Sequence, residues 1–284
     1  MIQSPEHLGR LLNLSKQKLL RLVKETDNYY YNKKKIKTDP FKNPVLNEAG
    51  EPVYRMLRPS KGLLKATQSK IKGRIFDKHP LPTEVYGGVA GKDNVLNALY
   101  HKGNKYFFVT DLRKFYPSIS YKRVYQLLID LTYSHDVARI LTRLTTEGGC
   151  LPQGTPTSTS IANLVFRDTD IEISKFCKST NLRYTRFVDD LTFSSTRDFR
   201  EHTGKLAAII AKSGFRIARD KTGYKIGPAK VTGVAVRNNY LDTFKEFDDT
   251  IVIELSDSSF AGKINYKRRV EAIGKSNRQK RLDL

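Results

Sequence analysis

Apolar positions recur at helical spacing near the start of the chain: Leu8, Leu11 and Leu12, then Leu19, Leu22 and Val23. Ser4-Pro5-Glu6 offers an N-cap followed by proline at the first helical position, and Ser15 offers a second start. Lys16, Lys18, Arg21 and Lys24 fall on the polar side, so residues 1–36 read as a basic helical element. Pro40, Pro44, Gly50 and Pro52 predict an irregular loop over 38–53. Leu63, Leu64, Ile71 and Ile75 predict an amphipathic helix between Ser60 and Phe76, with Lys61, Lys65, Lys70, Lys72 and Arg74 around it. Gly87 to Gly91 reads as a tight turn before a helix at 93–101; it lacks the Gly-Lys-Ser/Thr ending of a phosphate-binding loop.

Tyr106 to Val109 is a continuous apolar run, as in a buried strand, ending at Thr110-Asp111. Helical patterns follow at 121–131 and 135–145, then a loop from Leu151 to Thr159 built on Pro152, Gly154 and Pro156. Ile161 to Phe176 predicts a helix with Ile161, Leu164, Val165, Ile171 and Ile173 on its apolar side. Tyr184 to Ser194 predicts two strands around a turn at Val188-Asp189-Asp190. A helix at 202–213, a strand at Val231–Val236 and a strand at Ile251–Ile253 complete an α+β pattern without internal repeats.

Composition adds a partner class. Of 284 residues 39% are hydrophobic, enough for a sizeable core, and the net charge is +22. Such an excess attracts polyanions, nucleic acid foremost, with an anionic membrane surface or ribosome-type scaffolding as alternatives. Tyr29-Tyr30-Tyr31-Asn32-Lys33-Lys34-Lys35 suits base stacking beside a backbone-tracking groove, or else a strand end with a solvated turn. No apolar run approaches the ~18 residues of a membrane span, and Met1-Ile2-Gln3-Ser4-Pro5 has no apolar signal core. Cys150 and Cys177 are too few for a disulfide scaffold or a four-thiolate zinc site, and Cys150 reads as a small buried hydrophobe. A reducing cytosol is the simplest setting.

Asp111 stands where a buried strand ends, and Asp189-Asp190 stands in a hairpin turn. Acids placed so repel each other unless a cation lies between them, either Lys or Arg or a divalent metal. Carboxylate oxygens suit Mg²⁺, and two ions ~3.5–4 Å apart clamp the attacking and leaving oxygens of a phosphoryl displacement. Asp111 and Asp189 supply the minimum set, with Asp190 in support. Asp248-Asp249 reads as a solvated loop.

Three segments resemble successive reverse-transcriptase motifs: Asp111-Leu112-Arg113-Lys114-Phe115-Tyr116-Pro117-Ser118-Ile119, Leu151-Pro152-Gln153-Gly154-Thr155-Pro156-Thr157-Ser158, and Arg186-Phe187-Val188-Asp189-Asp190-Leu191-Thr192-Phe193-Ser194. Asn97-Ala98-Leu99-Tyr100-His101 and Val231-Thr232-Gly233 resemble two signatures of bacterial retron reverse transcriptases. The resemblance runs from about residue 55 to 236. It implies a right hand: fingers at 37–104, a palm at 105–236 with finger helices inserted at about 121–150, and a short, atypical thumb with a basic tail at 237–284. It implies Mg²⁺ (or Mn²⁺) on Asp111, Asp189, Asp190 and the carbonyl of Leu112. By the same resemblance, Phe115 and Tyr116 border the incoming nucleotide, Tyr116 excluding a 2′-hydroxyl. Gln153 and Gly154 line the nucleotide and template, and Lys221 falls near a lysine that protonates pyrophosphate. Asn97, His101, Val231, Thr232 and Gly233 fall in regions tied to RNA recognition.

The chain departs from the pattern at Tyr54, where relatives carry an arginine before Pro59-Ser60; Arg55 or Arg58 is left to contact the triphosphate. Val188 replaces a common alanine. Lys267-Arg268-Arg269 and Arg278-Gln279-Lys280-Arg281 make the tail basic. The implied activity is RNA-directed DNA synthesis on a cognate noncoding RNA, using dNTPs and primed from an RNA 2′-hydroxyl. The resemblance also implies an anti-phage system with a separate effector. The alternatives are an abortive-infection or intron-type enzyme, against which the two retron signatures argue, and a silent RNA-binding scaffold, against which the intact acids argue.

Overall fold

The structure, a computed structural model, describes residues 2–38, 44–245, 247–248 and 260–275. The chain forms two units: Met1–Lys37, Leu46–Pro82 and Lys114–Asp168 make the first, and Thr38–Val45, Thr83–Arg113 and Thr169–Leu284 the second.

The first unit is mainly helical. Ser4 accepts from the amide of His7 and Pro5 takes the first helical position, starting α1 (Pro5–Leu12). Ser15 caps α2 (Lys16–Lys24) through the amide of Lys18. Leu8, Leu12, Leu19 and Leu22 carry the buried side of this pair. An antiparallel ribbon follows, β1 (Lys33–Ile36) against β2 (Tyr54–Leu57), with β1 exposed along its length. Tyr30 is buried, and its hydroxyl accepts from Gln68 at 3.0 Å, so the tyrosine triplet is not one open stacking platform. Helix α3 (Gly62–Arg74) buries Leu64, Thr67, Gln68 and Ile71 and turns Leu63 outward. Gln68 tolerates burial because Ser60 donates to its carbonyl and its amide reaches Tyr30 and the Leu144 carbonyl. Helices α4 (Phe115–Ser118), α5 (Tyr121–Asp130) and α6 (His135–Thr145) follow, the last two capped by Ser120 and Ser134. Helix α7 (Ser158–Ser179), whose residues up to Asp168 belong to this unit and the rest to the second, is longer at both ends than its apolar pattern. Its buried stripe passes through Asp170, Ile173 and Cys177 and leaves Ile171 exposed.

The second unit holds a four-stranded antiparallel sheet. Its strands are β3 (Tyr106–Asp111), β4 (Arg183–Phe187), β5 (Asp190–Ser195) and β6 (Gly223–Ile226), in the order β4-β5-β3-β6. The short helix Asn94–Tyr100 is capped by Asp93, and Thr203–Lys212 buries Leu206, Ile209 and Ile210. The single strand expected over Val231–Val236 is instead a hairpin: β7 (Ala229–Val231) pairs with β8 (Val234–Val236), which pairs with β9 (Leu241–Asp242). Thr232 and Gly233 between them sit at φ 46° and 87°, the left-handed pair that a two-residue hairpin turn requires. Val95, Ala98, Phe107, Val231, Val234, Val236, Leu241 and Val270 form one apolar core. Val270 comes from a helix at Phe260–Gly274, which also carries Lys267, Arg268 and Arg269. The C-terminal region is therefore partly helical. The strand expected at Ile251–Ile253, Asp249, and the basic stretch Arg278–Arg281 lie outside the described residues. Among the described residues, no helix is long and apolar enough to cross a membrane. Both cysteines are free thiols, Cys177 buried and Cys150 half-buried.

Candidate active site

The acid pair and the lone acid meet through strand register. β3 and β5 run antiparallel, so the end of one lies against the start of the other, with Asp111 directly opposite Asp190. Residues so paired present their side chains on one face, with Cβ atoms ~4.5–5.5 Å apart. The amide of Leu112 donates to the carbonyl of Asp189 at 2.9 Å, so the turn residue is fixed at the same sheet end. The Asp111 carbonyl accepts from Ala218 at 2.7 Å, which extends the framework beyond the strand.

Lys221, from the turn Arg219–Lys221, donates to the Asp111 carboxylate. Asp190 opens to solvent on one side, yet surrounding protein, then Asp189, then Asp111 raise its carboxyl to about 7, with Lys221 opposing. Desolvation works against the charge on Lys221, but the Asp111 hydrogen bond and the neighbouring acids outweigh it and raise its pKa. Among the described residues, no three acidic, histidine or cysteine side chains are drawn around one point as a formed metal centre; the lysine holds Asp111 instead. The donor chemistry nonetheless fits a hard divalent cation. The available groups are carboxylate oxygens of Asp111, Asp189 and Asp190 with the nearby Leu112 carbonyl, and the mutual repulsion that raises the Asp190 carboxyl is what a divalent cation would relieve.

Behind the turn stands a feature not read from the sequence. Arg186 and Asp170 form an ion pair with both side chains fully buried. Arg186 Nε and Nη2 donate to the two carboxylate oxygens at 2.8 and 2.6 Å, and Tyr184 Oη adds a third bond at 2.7 Å. A single arginine in a strand carries no sequence signal of such burial; only alternation along β4, which puts Tyr184 and Arg186 on one face, hints at it.

Of the residues expected to recognise RNA, Asn97, His101, Val231 and Gly233 are buried and Thr232 is half-buried. His101 is 0% exposed; its ring bonds Ser194 Oγ at 2.6 Å and Thr185 Oγ1 at 2.7 Å. Burial, then the charge of Arg183, pushes its pKa down to about 3, so the ring is neutral. Asn97 is also buried and donates to Thr232 Oγ1 at 3.2 Å, while Asn94 donates to the Thr232 carbonyl at 3.1 Å. Val231 lies in the core. The two signatures are thus parts of one clip between a helix and a hairpin turn. The side chains of Asn97, His101 and Val231 are buried and spent on contacts within this unit, which supports a structural role for them.

A family model described as reverse transcriptase (RNA-dependent DNA polymerase) matches residues 45–236. This chain belongs to the reverse transcriptase family. It is 33% identical to the retron Se72 reverse transcriptase of Salmonella heidelberg, over 69% of this chain and 49% of that protein. It is 32% identical to the retron Mx65 reverse transcriptase of Myxococcus xanthus, over 64% and 48%, and to the retron Ec86 reverse transcriptase of Escherichia coli, over 61% and 55%. The chain spans about half the length of these curated relatives. Among solved structures, a Candida albicans telomerase aligns at a TM-score of 0.48 and 9% identity, covering 77% of this chain and 47% of that one, too slight to bear on the fold.

The remaining motif residues belong to the first unit. Phe115 is core, its ring edge-on to Phe166 at 5.9 Å. Tyr116 is half-buried, and its hydroxyl shares a 3.0 Å hydrogen bond with Thr159 Oγ1. Gln153 is half-buried and its carbonyl accepts from Arg58 at 2.9 Å; Gly154 is exposed at φ 106°, a conformation favouring glycine. The Arg58 guanidinium is engaged by Glu147 and by Asn32 at 2.6 Å. Arg55 is exposed on β2 opposite Lys35.

Proposed function

We propose that this chain is an RNA-directed DNA polymerase of retron type, which copies a structured noncoding RNA into single-stranded DNA. The observation that carries the reading is the register placing Asp111 opposite Asp190 beside Asp189, in a chain of this family. Asp111, Asp189, Asp190 and the Leu112 carbonyl hold Mg²⁺, with Mn²⁺ as substitute. When bound, the ions activate the attacking hydroxyl and neutralise the leaving pyrophosphate. Tyr116 selects dNTPs, Gln153 and Gly154 border nucleotide and template, and Arg55 is the better placed arginine for the triphosphate because Arg58 is already engaged. Lys221, held on Asp111, is the proton donor to pyrophosphate.

On this reading residues 37–104 act as fingers, 105–236 as palm with inserted finger helices, and 237–284 as a reduced thumb. The exposed basic ribbon at Lys33–Ile36 and Tyr54–Leu57 supports contact with the RNA backbone. Priming from an RNA 2′-hydroxyl, a branched RNA–DNA product and a separate effector in anti-phage defence follow from the likeness to retron enzymes. Incorporation of dTTP on poly-rA with oligo-dT and Mg²⁺ tests the polymerase. Sequencing of copurifying nucleic acid tests the retron: a chain carrying no covalent RNA–DNA hybrid from its native host would contradict it.

A further inference from the structure

The turn that presents Asp189 is held in a costly conformation. Val188 has φ 61°, in the left-handed region that a β-branched residue avoids. Such a conformation persists only where its surroundings determine it from several sides. Two groups do so here. Arg186, clamped at Nε and Nη2 by Asp170, donates its remaining Nη1 to the Val188 carbonyl at 2.8 Å. Gly87 also packs against the turn, so closely that a Cβ there would stand 2.3 Å from the Val188 nitrogen and 2.8 Å from the Phe187 carbonyl carbon. The segment bearing Gly87 is itself anchored on β4: Arg186 donates its amide to Glu84 at 2.9 Å, and its carbonyl accepts from Tyr86 at 2.8 Å.

We propose that Arg186 is a positioning residue for the acid turn, with Asp170 as its anchor and Gly87 as a second support. The guanidinium fixes the Val188 carbonyl and so the direction in which the chain delivers the carboxylates of Asp189 and Asp190. Stability alone does not explain the pair. A fully buried ion pair is commonly matched or bettered by apolar residues of similar volume. Its geometry has a second use: two of its donors are spent on Asp170 and a third reaches past the pair to the turn. A lysine could not replace it, having no planar fork to serve both partners. The functional consequence rests on the polymerase reading; the structural claim does not.

The test uses the full chain with Asp170→Leu, Tyr184→Phe and Arg186→Met together, which leaves no buried charge or hydroxyl unpartnered. A second variant, Gly87→Ala, presses on the turn without touching the ion pair. Melting temperature, amide hydrogen exchange at residues 188–190, and kcat and KM for dTTP are measured on both. Positioning predicts a triple variant that melts no lower than the wild type. Exchange at 188–190 rises, and kcat falls at least tenfold with KM within twofold. Gly87→Ala gives the same exchange and kcat signature, and decides alone if the triple variant does not fold. Unchanged exchange at the turn, or kcat within twofold of wild type in a folded variant, overturns the proposal. A wild-type chain that incorporates no nucleotide sinks the polymerase reading instead, and the exchange data still judge Arg186.

Discussion

Lys221 is paired with Asp111 beside two further acids, so the chain carries its own cation at the place proposed for a divalent ion. Ammonium and metal compete for the same carboxylate. Lys221→Ala is expected to lower the melting temperature in chelator and to lower severalfold the Mg²⁺ concentration that half-saturates the thermal shift. An equal Mg²⁺ response in both proteins would show that the lysine does not guard the acids.

His101 sets an acid limit on the fold. Its imidazole titrates near 6.5 when unfolded and at about 3 when folded. Between those values the unfolded chain binds a proton that the native chain refuses. Stability is therefore lost as pH falls below 6.5, by about 1.4 kcal/mol per unit. Asp190, with its raised carboxyl, acts in the opposite direction, so the comparison must be differential. Urea unfolding of wild type and His101→Gln at pH 7.5 and pH 5 should give a loss larger by about 2 kcal/mol in the wild type. Equal losses would refute the buried neutral ring.

Tyr116 is tethered through its hydroxyl to Thr159, which holds the ring in one place. If the ring excludes a 2′-hydroxyl, Tyr116→Ala admits rNTPs while dNTP incorporation continues. Steady-state ratios of kcat/KM for dTTP and UTP read this out; an unchanged ratio moves the sugar gate elsewhere.

The +22 charge predicts RNA binding that weakens steeply with salt. Replacing Lys33, Lys34 and Lys35 by alanine removes three exposed cations of the ribbon. The slope of log affinity against log salt should then flatten by about 2, given ~0.7 per single-strand phosphate contact. A slope that stays the same places the RNA on another surface.

Local chemistry made much of this legible. Ser4-Pro5 and Ser15 announce their helices because capping is decided within three residues. The meeting of Asp111 with Asp190 was legible too, because a strand end and a hairpin turn are short-range patterns that pairing then joins. What stayed hidden depends on contacts distant in sequence. The Thr232-Gly233 turn lies inside a run of valines that reads as one strand. His101 reads as a histidine beside a helix end, and nothing near it in sequence names Ser194 and Thr185 as the hydroxyls that close over it. Asp170 looks like a solvated helix residue, and only Arg186, on a strand that follows, gives it a reason to be inside.

Divalent-metal nucleotidyl transfer at the β3–β5 junction, as proposed, rests on the carboxylates of Asp111, Asp189 and Asp190. Primer extension on an RNA template with Mg²⁺, run beside a binding assay on the same RNA, compares wild type with Asp189→Asn. Extension is expected from the wild type and none from the variant, with RNA dissociation constants within about threefold of each other, since a single half-buried carboxylate among many phosphate contacts changes affinity little. Extension by Asp189→Asn at the wild-type rate would contradict the proposal.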